Sequence, residues 1–202
     1  MTLRSIAGRD AVRPVAETLT AMAVASVAFR VVDAVAAPLA AALFVLSTPT
    51  LAPWTLATSV YAHAGVGHLF GNAVLVVVAG VPIAAGTTRA RFHAFVLATG
   101  ALAGVAQVWI GGLLAPATVG VLGTSGAAFA LAGYVAAANP AAGAAGRLIE
   151  RLGASPRAVV FVVALLALAV TLAFSPPGSA LVAHFVGLTL GIAAGSVRLL
   201  RV

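Results

Sequence analysis

The sequence predicts an all-α, polytopic membrane protein built as a bundle of six transmembrane helices, and two observations carry that prediction. Hydrophobic residues make up 62% of the 202 and charged residues 7%, with a mean hydropathy of +1.16. A water-soluble domain of this size does not manage with so little charge. The net charge of +7 comes from eleven arginines against four acids, and the arginines fall in short stretches between apolar runs. That placement matches membrane topology rather than phosphate binding, so a nucleic-acid partner is not expected. Cysteine is absent, which removes disulfides and thiolate metal sites. Residues 1–17 hold Arg4, Arg9, Asp10, Arg13 and Glu17 and no apolar core. They read as a short cytoplasmic tail rather than a cleavable signal peptide, with one membrane domain over 18–202.

Six apolar stretches run over roughly 18–44, 66–85, 92–113, 125–139, 158–174 and 179–197. A bilayer core of about 30 Å needs about 20 helical residues, which most of them supply. Arg4, Arg9 and Arg13 precede the first stretch, and Arg89 and Arg91 separate the second from the third. Arg147, Arg151 and Arg157 separate the fourth from the fifth, and Arg198 and Arg201 follow the sixth. In a six-span chain all of these lie on one side, and the opposite segments, 45–65, 114–124 and 175–178, carry no arginine. The positive-inside rule then puts both termini in the cytoplasm of a multi-pass cell-membrane protein, with the lipid bilayer as its solvent.

Two stretches need individual reading. In the first, Arg30 and Asp33 are three apart, on neighbouring positions of one helix face, and can pair. Either the helix runs through them, or it ends near Asp33 and residues 34–60 form an outer loop with an interfacial helix. The second reading places Pro53-Trp54 and Tyr61 at headgroup level. The fourth stretch, Ser125 to Asn139-Pro140, is only about fourteen residues long, or roughly 21 Å of helix. Pro140 and the arginines beyond it pin the cytoplasmic end, so Ser125 stops below the outer membrane surface. The preceding run, Ala115 to Gly123, can be non-helical at that depth only if protein surrounds it or it lines a wet cavity.

Three polar clusters interrupt the apolar stretches: His68 with Asn72, the run Gly123-Thr124-Ser125-Gly126, and His184 with Gly187 and Gly191. Polar groups at membrane depth are costly, and together these are the parts of a serine hydrolase. In order and type they resemble the rhomboid family of intramembrane serine proteases. The matching motifs are HxxxxHxxxN (His63, His68, Asn72), GxSG, and AHxxGxxxG from Ala183 to Gly191, spread over about residues 50 to 195. The resemblance implies a six-helix rhomboid-like bundle with no cofactor, and a membrane-dipping segment in the outer loop. It also implies transmembrane protein substrates, admitted laterally and cut near the outer face. A capping role for the loop Ser175-Pro176-Pro177-Gly178 is likewise implied by the resemblance alone.

The residue inventory bears on the chemistry independently. No HExxH zinc motif is present, and His63 and His68, five apart on a helix, would point about 140° from each other. An aspartate dyad needs two intramembrane acids, and only Asp33 is a candidate; serine remains. Ser125 starts a helix whose free N–H groups can bind a developing oxyanion, and Gly123 and Gly126 let a substrate approach the backbone. The bland alternative is a serine N-cap in a small-residue contact. His184 is the proposed general base, on the face marked by Gly187, Gly191 and Gly195, where close packing brings its helix against the fourth. Its alternative is a single interhelical hydrogen bond. His68 and Asn72, four apart, share a helix face. By the resemblance they line the oxyanion hole with the Ser125 amide, and the alternative is a polar interhelical clasp. His63 matches the family's outer histidine, to which a loop-holding role falls, and His93 reads as interfacial.

Two departures from the family pattern stand out. Phe129 replaces the tyrosine often found four residues after the nucleophile, which preserves stacking on the histidine but not a phenolic hydrogen bond. Thr55 follows Trp54 where arginine is common. The four acids are Asp10, Glu17, Asp33 and Glu150, none placed to serve His184, which is therefore expected to be held by packing against Phe129. Two other readings stay open: an inactive relative that binds or escorts membrane proteins, and a small transporter, for which no inverted repeat or paired broken helices are visible.

Overall fold

The structure, a computed structural model, describes residues 3–48, 52–114 and 120–201. Helix α1 spans Leu3–Val35. It runs past the Arg30–Asp33 pair, which is formed (Nη1 to Oδ2, 3.3 Å), and stops at Ala36, whose φ of −152° leaves helical geometry. The reading in which the helix ends near Asp33 is therefore the one observed. The segment after α1 carries α2 (Ala37–Phe44), β1 (Leu46–Ser47) and α3 (Thr55–Tyr61). Trp54 Nε1 donates to the Ala42 carbonyl at 2.9 Å and Thr58 Oγ1 to the Leu43 carbonyl at 2.6 Å, tying α3 to α2.

Six further helices follow: α4 (Val66–Ala84), α5 (Arg89–Leu114), α6 (Ser125–Ala138), α7 (Pro140–Arg151), α8 (Pro156–Phe174) and α9 (Leu181–Ser196). Strand β2 (Gly120–Val121) pairs antiparallel with β1, Leu46 opposite Val121 and Ser47 opposite Gly120. This pair fastens the α2–α3 segment to the stretch just before α6. Of the run Ala115 to Gly123 that the sequence reads as non-helical, residues 115–119 lie outside the described residues, and 120–123 hold β2 and a turn.

Among the described residues, α1 (from Val12), α4, α5 and α8 are long and apolar enough to cross a bilayer, and α6 with α7 forms a pair bent by 63°. Helix α9, at 16 residues, reaches only about 24 Å. The protein is thus an all-α, multi-pass membrane protein apart from the short β1–β2 pair. Among the described residues four helices, or five if the bent pair is one span, pass as spans by length and composition, and α9 is a shorter apolar helix. The two helices that fall short, α6 and α9, are those bearing Ser125 and His184. The bend has a local cause in Asn139: its Nδ2 donates to the Ala136 carbonyl (2.8 Å) and its Oδ1 accepts the Ala142 N–H (2.9 Å). One side chain thereby closes α6 and opens α7, with Pro140 at the favoured first position. The sequence reading has this stretch as a loop. It is an amphipathic helix, with Arg147 and Arg151 four apart on one face and Ile149 on the opposite one.

Helix α6 is the centre of the bundle, enclosed by α4, α5 and α9, with Gly126 to Leu131, Gly133 and Tyr134 all buried. That enclosure is why fourteen residues suffice: protein surrounds the helix from Gly126 to Tyr134, so it need not cross lipid by itself. Its contact with α9 is backbone against backbone. A side chain on Gly187 would meet the Gly126 carbonyl, one on Gly191 the Ala130 carbonyl, and one on Gly133 the Leu188 carbonyl. Small residues at four-residue spacing allow this approach, which in lipid supplies dispersion contact that hydrophobic burial cannot. Below it, Met22, Val76, Phe92, Val96, Leu131 and Tyr134 form the main apolar core. Helix α8 lies outside, packed chiefly on α9, with only Ala167 and Thr171 buried. Its Phe161, Leu166 and Leu172 are exposed, as suits a lipid-facing helix.

Candidate active site

Ser125 is the first residue of α6, and three hydrogen bonds fix the two residues before it. The Gly123 N–H donates to the Ser59 carbonyl (2.7 Å), Thr124 Oγ1 to the Val60 carbonyl (2.6 Å), and the Thr124 N–H to His63 Nε2 (3.2 Å). Because Nε2 accepts, the proton of this imidazole sits on Nδ1, which faces Ser26 Oγ (3.1 Å) and the Tyr61 carbonyl (3.0 Å). His63 is fully buried in the segment between α3 and α4. Burial first, and the neighbouring His68 second, hold its pKa down to about 4, so it is neutral near pH 7. The sequence reading sets His63 and His68 on one helix; instead His63 precedes α4, and the two rings meet edge to face with centroids 4.9 Å apart. The first bond of the α6 ladder runs from the Ala128 N–H to the Thr124 carbonyl (2.9 Å), leaving the Ser125 amide ahead of the ladder.

Gly123 has φ +126°, a conformation side chains rarely take, and a Cβ there would lie 2.7 Å from His68 Cε1. It is required twice, by backbone angle and by the ring against it. Gly126 is constrained from two sides, since a Cβ would lie 2.6 Å from that of Ala103 and its carbonyl faces Gly187.

His184 sits one turn into α9, buried. Phe129 stacks flat on it, ring centroids 4.4 Å and planes 8° apart. Ser175 Oγ lies 2.7 Å from its Nδ1, and the Ala183 N–H, one of the unsatisfied donors of the first turn, is capped by Gln107 Oε1 of α5 at 3.1 Å. Gly187 brings this turn against Gly126. Among the described residues no hydrogen bond joins Ser125 to His184.

Ser125, His184, His68, Asn72 and Phe129 all line one cavity of about 470 Å³, closed on another side by Phe174, Pro176 and Ser179. Asn72 is buried and, among the described residues, its Nδ2 has no hydrogen-bond partner. Leaving such a donor unpaired costs about 1–3 kcal/mol, which makes it a donor in want of an acceptor inside the cavity. His68 is exposed there. Among the described residues the clasp alternative for Asn72 has no partner.

Every sequence-predicted site residue falls at or directly behind this cavity: Gly123 against His68, Gly126 and Gly187 against each other, Gly191 one turn further along the same contact. Three polar residues were not foreseen in a role here. Gln107 carried a signal, a lone amide in an apolar stretch. Ser26 carried none, since small hydroxyls occur in membrane helices for many reasons, and Ser175 was marked only as part of the capping loop, not as a partner of His184.

A family model described as the Rhomboid domain matches residues 51–201, which is most of the chain. No curated protein matches the sequence.

Proposed function

The chain belongs to the rhomboid family, and on that footing we propose that it is an active intramembrane serine endopeptidase, with Ser125 as nucleophile and His184 as general base. One observation carries the reading. A single cavity within the membrane domain is lined by a helix-start serine, a buried histidine, and a buried asparagine whose donor is unpaired. In the proposed sequence His184 Nε2 takes the Ser125 hydroxyl proton as Oγ attacks a peptide carbonyl. The oxyanion is bound by Asn72 Nδ2, His68 and the Ser125 amide. The proton then passes to the leaving amine, and water releases the acyl group by the same route in reverse. Gly123, Gly126, Gly187 and Gly191 hold the approach distances, Phe129 the ring plane, and His63 the turn before Ser125. No cofactor or metal takes part. The substrates are transmembrane proteins, reached from the bilayer.

The reading predicts that purified, reconstituted protein cleaves a single-span substrate. Ser125→Ala and His184→Ala should each abolish cleavage while the variants still fold, and a fluorophosphonate probe should label wild type but not Ser125→Ala. Near-wild-type cleavage by either variant would refute the assignment. A wild-type protein that binds the substrate without cutting it would support the inactive escort instead.

We further propose that both termini are cytoplasmic in the cell membrane, from the arginine distribution. Single cysteines at Ala145 and Gly178 should react with an impermeant thiol reagent from opposite sides. Labelling of both from outside would sink this orientation.

A further inference from the structure

The mechanism leaves one end of the base unassigned. His184 Nδ1 meets Ser175 Oγ at 2.7 Å, the short end of the usual range for such a bond. Among the described residues the acids are engaged elsewhere: Glu17 with Arg13, Arg89 and His93, and Asp33 with Arg30. Among the described residues Ser175 is the one side chain hydrogen-bonded to this imidazole. It is also held in place. Ser175 is the C-cap of α8, with extended backbone, and Pro176 and Pro177 stiffen the chain that follows. Gly178, at φ +80°, lets the chain turn back, and the Ser179 N–H closes that turn on the Pro176 carbonyl at 3.1 Å. Phe129 fixes the plane of the ring but is indifferent to which nitrogen carries the proton. A hydrogen-bond partner on a ring nitrogen selects that, and among the described residues the partner present is the hydroxyl at Nδ1, which can accept as well as donate.

We propose that Ser175 is the positioning residue of the base: its Oγ accepts the Nδ1–H of His184, which fixes the tautomer that leaves the Nε2 lone pair free for the Ser125 proton. When Nε2 takes that proton, the Nδ1–H keeps its acceptor, and Ser175 stays neutral throughout. The chain thus has a neutral hydroxyl where other serine hydrolases use a carboxylate. This inference rests on the reading of Ser125 and His184 as nucleophile and base.

The test is nitrogen-15 NMR of ring-labelled histidine in reconstituted protein, with His184 assigned by difference against His184→Ala, together with cleavage kinetics. Wild type should show His184 as the single Nδ1–H tautomer. Ser175→Ala should spread it over both tautomers and lower kcat about three- to tenfold with KM unchanged, the range expected for one neutral hydrogen bond. Ser175→Thr, which keeps the hydroxyl, should restore both. If Ser175→Ala does not fold, Ser175→Thr against Ser175→Val makes the same comparison of hydroxyl with methyl. A hydroxyl-free variant with the wild-type His184 spectrum and kcat overturns the proposal, even while the fluorophosphonate probe still labels Ser125. Absence of that labelling in wild type overturns the underlying reading instead, and the tautomer spectrum remains readable in either case.

Discussion

The α6–α9 pair and α8 border the same cavity and are held in opposite ways. Between α6 and α9 the backbones touch, because Gly187, Gly191 and Gly133 offer no side chain to separate them. Helix α8 leans on α9 through little more than Ala167 and Thr171, and presents large apolar side chains outward. The proposed nucleophile and base thus stand on the closely packed side, where a shift of a few tenths of an ångström meets a backbone carbonyl. Of the cavity wall, Phe174 belongs to the loosely packed helix, whereas the turn from Ser175 to Ser179 is stiffened by its prolines and tied to His184. A catalytic pair needs fixed geometry, whereas an entrance for a bulky substrate needs a wall that can give. The difference in packing matches that division of labour.

The sharpest contrast uses two buried groups of this cavity that both lack a partner, Asn72 Nδ2 and Ser179 Oγ. If the packed side does the chemistry, Asn72→Ala should lower kcat by about 10²–10³, the usual effect of losing one oxyanion donor. Ser179→Ala should change it by no more than about threefold, since an uninvolved hydroxyl is worth at most one weak hydrogen bond. Melting curves of both variants separate lost chemistry from lost packing. A large stability loss with an unchanged rate in folded Asn72→Ala would return that residue to the clasp reading.

A stability contrast comes next in size. Gly191→Val drives two methyls at the Ala130 carbonyl and should destabilise by about 3 kcal/mol, the upper end for overpacking. Phe161→Ala on the exposed face of α8 should stay within about 0.5 kcal/mol. Unfolding midpoints in one detergent measure both. Equal effects would mean that α8 is as tightly integrated as α9.

A pH dependence located outside the spans, at His63, is confined to acid and is small near neutral pH. Its folded pKa of about 4 lies below the ordinary 6.5, so between these values the unfolded chain binds the proton first. Stability should therefore be fully present above about pH 6.5 and fall as the pH drops towards 4. Protonation would set an N–H against the Thr124 N–H that Nε2 now accepts. His63→Gln, which cannot titrate, should flatten the midpoint across this window. A His63→Gln profile as steep as wild type would assign the dependence to another group.

Much of the site could be read from the sequence because its parts are local patterns. Hydropathy alone determined the membrane class, since lipid tolerates only apolar surfaces with internally satisfied backbones. The distance from Ser125 to Pro140 gave the length of α6, and the glycines four apart from Gly187 marked the face of α9 that packs closely. Helical periodicity put Asn72 on one face with His68, and Phe129 one turn after Ser125. What the sequence could not determine was partnership across the fold. The bond from Thr124 to His63, the cap from Gln107 to Ala183, and the β1–β2 pair each join residues more than sixty positions apart. Ser175 is only nine residues from His184, yet the proline turn between them had to be built before their atoms could be seen to meet. Periodicity says which way a residue faces on its own helix. Which atom it meets depends on how helices are translated and rotated against one another, and that was decided by backbone contacts such as Gly187 on Gly126, which exist only once the bundle is packed.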